Sequence, residues 1–207
     1  MTSWLHEKRL EAVEAILCRS GAARVLDLGC GDGDLFVRLA EDPRYRELVG
    51  VDICRASLDR LRQRLAVDNC RTCRIELRWA SMIEPPADLA GFDCAILVET
   101  IEHLDPGHMS KLEQAVFHRM RPRMVVITTP NADFNPLLGV PPNRRRHPGH
   151  RFEWGRTKFR RWCGRAAEAA GYDVDVDDIA GHHPDLGGAS QMAVFRLAGA
   201  DARARPA

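Results

Sequence analysis

Nowhere in the chain does an apolar run approach the ~20 residues that cross a bilayer. The start, Met-Thr-Ser-Trp-Leu-His-Glu-Lys-Arg, also lacks the apolar core of a signal peptide. Both absences argue against a membrane partner and lead to the expectation of a cytoplasmic protein. A disulfide framework is missing as well. The seven cysteines are odd in number and scattered through predicted strands and helices, which suits free thiols in a reducing compartment. Cys70-Arg71-Thr72-Cys73 has no second pair to complete a zinc site and is read as a chance loop pair. No internal repeat is visible. Net charge is nearly absent at +1, yet it is unevenly spread: between Arg121 and Arg165 eleven Lys/Arg stand against two acids, Asp133 and Glu153. Such a stripe on a near-neutral chain points to an anionic partner at one face, or to a plain solvated surface.

What is present is 207 residues, 45% of them apolar, enough for one domain with a sizeable core. Residues 1–207 are expected to form that single domain, with a disordered tail at 201–207. Apolar residues at Trp4, Leu5, Leu10, Val13, Ile16 and Leu17 predict an amphipathic first helix. Predicted strands follow at 24–28, 48–52, 74–79, 92–98, 124–128, 172–176 and 191–197. Helices are expected at about 34–40, 57–67 and 105–119, the last starting at the Asp105-Pro106 cap. A further helix runs from Thr157, read as its cap, to Gly171. Alternating strands and helices mean an α/β fold: a mostly parallel seven-stranded sheet with helices on both faces. The last two strands lack an intervening helix, so the last strand is antiparallel. Residues 131–154 carry Pro, Arg, Asn and Gly with no period, and a loop this long inside a domain is functional or disordered.

The stretch Glu99-Thr100-Ile101-Glu102-His103 leaves the apolar strand at 92–98. In a helical turn, Glu99, Glu102 and His103 fall at i, i+3 and i+4 and share one face. Two carboxylates and an imidazole there make a partial nest for a divalent cation, or a solvated patch on an exposed turn. Upstream, the first strand runs into Gly29-Cys30-Gly31-Asp32-Gly33 and then a helix, an arrangement that brings backbone N–H groups close to a ligand. The second strand ends on Asp52, where doubly wound folds place an acid on the ribose hydroxyls of an adenosyl cofactor. The glycine turn, Asp52, Ser81 and Glu99 all fall just after strand C-termini, the edge at which open α/β sheets bind ligands.

Asp27-Leu28-Gly29-Cys30-Gly31-Asp32-Gly33 resembles motif I of the Rossmann-like class I S-adenosylmethionine-dependent methyltransferases. The resemblance implies S-adenosylmethionine as cofactor, with Asp27, Gly29 and Gly31 around its amino-acid part, Asp52 on its ribose and Ser81 near its adenine. Three further stretches are similar to the small-RNA 3′-terminal 2′-O-methyltransferases, the HUA-enhancer type and its bacterial relatives. They are Glu99-Thr-Ile-Glu102-His103-Leu104-Asp105, Thr128-Thr129-Pro130-Asn131, and His150-Arg151-Phe152-Glu153-Trp154 followed by Thr157. Their order and spacing match over nearly the whole chain. In that family the corresponding residues bind a divalent cation, which carries over here to Glu99, Glu102, His103 and His150, with His147 in reserve. The segment 131–154 then becomes the substrate and metal-site insert. His108, His182 and His183 match nothing in the family and are read as surface or loop residues.

Two departures stand out. The residue before the ligand histidine is commonly an acid in the family, and here it is Gly149; without an orienting acid the metal would be held less tightly. Some bacterial relatives also carry a large N-terminal half linked to RNA end repair, so this chain is expected to work alone or with a separate RNA-repair partner. The implied chemistry is methyl transfer to the 2′-OH of the 3′-terminal ribose of RNA. Only that nucleotide offers free vicinal hydroxyls to a cation with open positions, and the hydroxyl proton goes to His103, His150 or water. Mixed nitrogen and oxygen ligands favour Mn²⁺, with Mg²⁺ the alternative. Arg144, Arg145, Arg146 and Arg151 would steer the RNA backbone. Two rivals remain: a small-molecule O-methyltransferase of the same fold, and a non-catalytic adenosyl-cofactor-binding module that docks RNA.

Overall fold

The structure is a computed structural model and describes residues 4–66 and 73–199. Cys70 and the tail at 201–207 lie outside the described residues. The chain runs α1 (Trp4–Ser20), β1 (Arg24–Leu28), α2 (Asp34–Glu41), β2 (Glu47–Asp52), α3 (Arg55–Ala66), β3 (Arg74–Trp79), β4 (Cys94–Val98), α4 (Met109–Glu113), β5 (Met124–Pro130), α5 (Arg156–Ala170), β6 (Tyr172–Ile179) and β7 (Ser190–Leu197), with short 3₁₀ turns between several of them. The seven strands form one sheet in the order β3-β2-β1-β4-β5-β7-β6. β1 to β5 are parallel to one another, and β7 is antiparallel to both β5 and β6. The expected fold class is the observed one.

Period-2 alternation explains why both faces of the sheet are covered. In β1, Val25 joins a cluster with Leu10, Val13 and Leu17 of α1 and Phe36 of α2, while Leu26 and Leu28 join the opposite cluster with Phe117, Phe159 and Trp162. Neighbouring strands β1 and β4 send the chain to opposite sides of the sheet. The order reverses between them, and a crevice opens there at the strand C-termini.

Some local expectations need correcting. Trp4 is 62% exposed rather than on the buried face of α1, whose contacts come from Leu10, Val13 and Leu17. The helix expected over 105–119 is three pieces. Asp105 caps a 3₁₀ turn at Pro106–His108 by accepting from Gly107 N, α4 follows, and Gln114–Met120 widens into a π-helix. The wider turn still buries Val116 and Phe117, and Arg121 N closes it on Val116 O. α5 is capped by Gly155 rather than Thr157, which lies within its first turn. Inside 131–154, Ala132–Leu138 forms a 3₁₀ helix, and Phe152 and Trp154 stack in the core, so the insert is anchored at its far end.

Candidate active site

The backbone after β4 does not continue as one helical turn. Glu99 takes a left-handed conformation, φ +51°, and a 3₁₀ turn at Ile101–His103 follows. The three side chains that spacing had placed on one face therefore differ in burial and in partners. The Glu99 carboxylate accepts from Thr128 Oγ1 at 3.2 Å and meets Arg9 Nε of α1 at 3.2 Å. Glu102 turns inward and is fully buried. Its Oε2 accepts from Thr129 Oγ1 at 3.0 Å, whereas its Oε1 is buried with no hydrogen-bond partner. Burial, and then the neighbouring Glu99 charge, pushes Glu102 well above the usual carboxylate range.

A backbone link brings the insert to this turn. The Glu102 carbonyl accepts from Arg151 N at 2.7 Å, and His150 N donates to His147 O at 3.1 Å. His150 thereby comes to rest with Nε2 4.0 Å from Glu102 Oε1. Its Nδ1 lies 2.6 Å from Glu153 Oε1, and a carboxylate only accepts, so Nδ1 donates and Nε2 is the nitrogen turned toward Glu102. Burial works against the Glu153 charge, but hydrogen bonds from His150, Asn135 and Arg146 outweigh it and hold the carboxyl below its ordinary value. His103 Nδ1 faces the Gly149 carbonyl at 3.2 Å, which again leaves Nε2 free. Burial, then the adjacent His150 and His147, lowers His103 from the ordinary imidazole value, so the ring is neutral at neutral pH. The ring centroids of His103 and His150 are 4.8 Å apart, and His147 lies 5.7 and 5.4 Å from them.

Beside this cluster, at the crevice between β1 and β4, lies a cavity of about 460 Å³, within the usual range for small-molecule sites. Gly29, Gly31, Asp52, Ser81, Glu99 and His103 all line it, so the glycine turn and the Glu/His turn share one wall. Gly29 has φ +82°, and a Cβ there would overlap Thr100, so the loop and the turn can approach this closely only with glycine. Asp52 Oδ2 accepts from Gly31 N at 2.9 Å and Oδ1 from Cys54 N at 2.7 Å, which fixes the carboxylate at the cavity wall. Asp27 is not on the cavity wall. It is buried in β1 beneath the loop, where burial and then Asp52 raise it to about 7.

Arg144, Arg145 and Arg151 are exposed, but Arg146 does not lie with them. Its guanidinium points inward and donates to Ala189 O, Asn131 O and Asn135 Oδ1, so it ties the insert down instead of facing solvent. Sequence reasoning missed Thr100, Thr129 and Glu153 as site residues. All three sit inside stretches already singled out, but neither spacing nor residue type said what they would touch.

Fold and crevice together define a Rossmann-like methyltransferase domain. A family model described as a methyltransferase domain matches residues 25–123. The rat small RNA 2′-O-methyltransferase is 34% identical over 94% of this chain and 52% of its own length. The solved methyltransferase domain of the bacterial CtHen1-CN protein superposes with a TM-score of 0.82 at 34% identity, over 93% of this chain and all of that one. The small RNA methyltransferase HEN1 gives a TM-score of 0.87 at 29% identity, covering 98% of this chain and 27% of that one. The chain belongs to the Hen1 small RNA 2′-O-methyltransferase family. It spans about half the length of the curated animal relatives it matches. Among the described residues no helix is long and apolar enough to cross a membrane.

Proposed function

We propose that residues 1–207 act as a single S-adenosylmethionine-dependent domain that methylates the 2′-OH of the 3′-terminal ribose of RNA, with a divalent cation at the Glu/His cluster. The observation that carries this reading is the unpartnered, fully buried Glu102 Oε1 facing His150 Nε2 at 4.0 Å, next to a cofactor-sized cavity that shares Glu99 and His103 with the cluster. A buried carboxylate oxygen without a donor is costly unless something positive takes its lone pairs. The donor set fits a cation on that ground: Glu102, His103 and His150 would hold it, with Glu99 as the fourth ligand. When bound, it supplies a Lewis acid that lowers the pKa of a hydroxyl at its open positions.

The chain's own residues do the rest. Asp52 would hold the ribose of the methyl donor, and Gly29 and Gly31 let it lie against the backbone. Ser81 would contact the adenine. Asp27 supports the loop from beneath. Glu153 and the Gly149 carbonyl fix the two histidine rings so that their lone pairs converge, and neutral His103 offers either a ligand or a proton acceptor. Arg144, Arg145 and Arg151 would attract the RNA backbone without reading its sequence. A separate RNA-repair partner is part of this reading.

The test is methyl transfer from radiolabelled S-adenosylmethionine to three short RNAs: one with a free 3′ end, one 3′-phosphorylated and one with a terminal 2′-deoxy ribose. Each is run with Mn²⁺, with Mg²⁺ and with EDTA. Label is expected only on the free end and only with metal, and more with Mn²⁺ than with Mg²⁺. Equal label on the 2′-deoxy end, or full label in EDTA, would remove the proposed acceptor or the proposed metal role.

A further inference from the structure

We propose that His147 is itself a ligand of the cation, so that the site is a face of three imidazoles closed by Glu102. The inference rests on the reading above that a divalent cation binds here, and it changes which residues hold it. One ligand atom from each of His103, His147 and His150 lies within 4.8 Å of the others, so small movements of the rings bring all three onto one ion.

Gly149 is what lets the rings meet. Its carbonyl faces His103 Nδ1 and its N–H donates to His147 Nδ1 at 3.0 Å, so one residue's backbone sits between two rings. A Cβ at 149 would lie 3.0 Å from His147 Nδ1, 3.1 Å from His147 Cε1 and 3.2 Å from His103 Nδ1. Any side chain there, an acid included, would press the rings outward. The space left by the missing side chain is the space His147 uses. On binding, a cation at His147 Nδ1 replaces one hydrogen bond from Gly149 N–H, which lies at the surface and can pair with water instead.

Glu99 is the weaker donor in this arrangement. Its carboxylate is already engaged by Arg9 and Thr128 Oγ1, whereas Glu102 Oε1 has no partner. Three nitrogens and one carboxylate oxygen favour borderline transition ions such as Co²⁺ and Zn²⁺, and disfavour Mg²⁺, which prefers oxygen and water.

Metal-stripped full chain is titrated with Co²⁺, followed by calorimetry and by the visible absorption of the bound ion, with Mg²⁺ as comparator. Wild type, His147→Ala, Gly149→Ala and His150→Ala are compared, and circular dichroism checks that each folds. Wild type is expected to bind Co²⁺ well ahead of Mg²⁺. His147→Ala should lose affinity by about tenfold or more, at least what loss of an outer partner costs, and shift the Co²⁺ bands. Gly149→Ala, which keeps every ligand, should move in the same direction. If His147→Ala keeps the wild-type spectrum, or its affinity, while His150→Ala loses binding, this inference fails and the proposed function stands. If wild type binds neither ion, both fall.

Discussion

Glu153 holds His150: Nδ1 of the ring lies 2.6 Å from Oε1 of the carboxylate, and the free Nε2 then faces Glu102 at 4.0 Å. The acid expected directly before His150 is absent, and a carboxylate three residues after it meets the same nitrogen. The orienting partner that the glycine at 149 had put in doubt is therefore present in the structure, from the other side of the histidine.

Removing that partner should weaken metal binding without unfolding the chain. Glu153→Ala is expected to cost on the order of 10–100-fold in Mn²⁺ affinity, as outer partners of metal-bound histidines do. Glu153→Gln still accepts from Nδ1 and should recover part of the loss. Titration monitored by the electron paramagnetic resonance of free Mn²⁺ reads both. Equal affinities for wild type and Glu153→Ala would mean that the hydrogen bond only anchors the insert.

The glycine loop offers a contrast between two glycines. Gly29→Ala meets both positive φ and the Thr100 side chain, and should lose about 1–3 kcal/mol of stability together with adenosyl-cofactor binding. Gly31→Ala, at φ +53° with nothing within 4 Å, meets only the backbone penalty, about 1 kcal/mol. Adding Thr100→Ser to Gly29→Ala removes the overlapping methyl and should restore part of the binding. Denaturant melts and cofactor calorimetry on the three variants decide the matter.

Asp27 should leave a signature in the pH dependence of stability. Its carboxyl is raised from 3.8 to about 7, so the folded state holds the proton that the unfolded chain has released. The stability it contributes is full below 3.8 and is lost as pH rises through about 7. Asp27→Asn escapes that loss. Its thermal stability should therefore exceed wild type by more at pH 8 than at pH 5, the difference having a ceiling of about 3 kcal/mol at 1.4 kcal/mol per unit between pH 5 and about 7. Melting curves with a constant offset between pH 5 and 8 would show Asp27 carrying no raised pKa.

Salt separates the arginines. Arg144→Ala with Arg145→Ala should flatten the log–log dependence of RNA affinity on salt by about 0.7 per lost phosphate contact, with melting unchanged. Arg146→Ala should leave that slope alone and lower the melting temperature, since three buried or half-buried acceptors lose a donor at about 1–3 kcal/mol. A flatter slope from Arg146→Ala would return it to the RNA face.

Much of the fold was legible because its signals are local. Strand, glycine turn, helix and strand acid lie within 30 residues, and two-sided burial shows directly as apolar runs. The site was legible in its residue types and less so in its geometry. Even spacing put Glu99, Glu102 and His103 on one face, yet a single left-handed residue at 99 sent Glu102 into the core and Glu99 toward Arg9. Arg146 reads like its neighbours at 144 and 145, and nothing local told that its donors would find Ala189, 43 residues on.

The sequence by itself determined the sheet, the crevice and the chemical kinds gathered there, since glycines, acids and histidines at strand ends follow from short-range pattern. Only the tertiary structure decided which of them meet. The Arg151 N–H bound to the Glu102 carbonyl and the Gly149 carbonyl against His103 Nδ1 fold the insert back across the turn, and such long-range links set His147 and His150 against His103. Residue spacing carries no information about such a closure. It depends on the anchoring of Phe152 and Trp154 in the core, and on a glycine whose missing side chain leaves room for the rings.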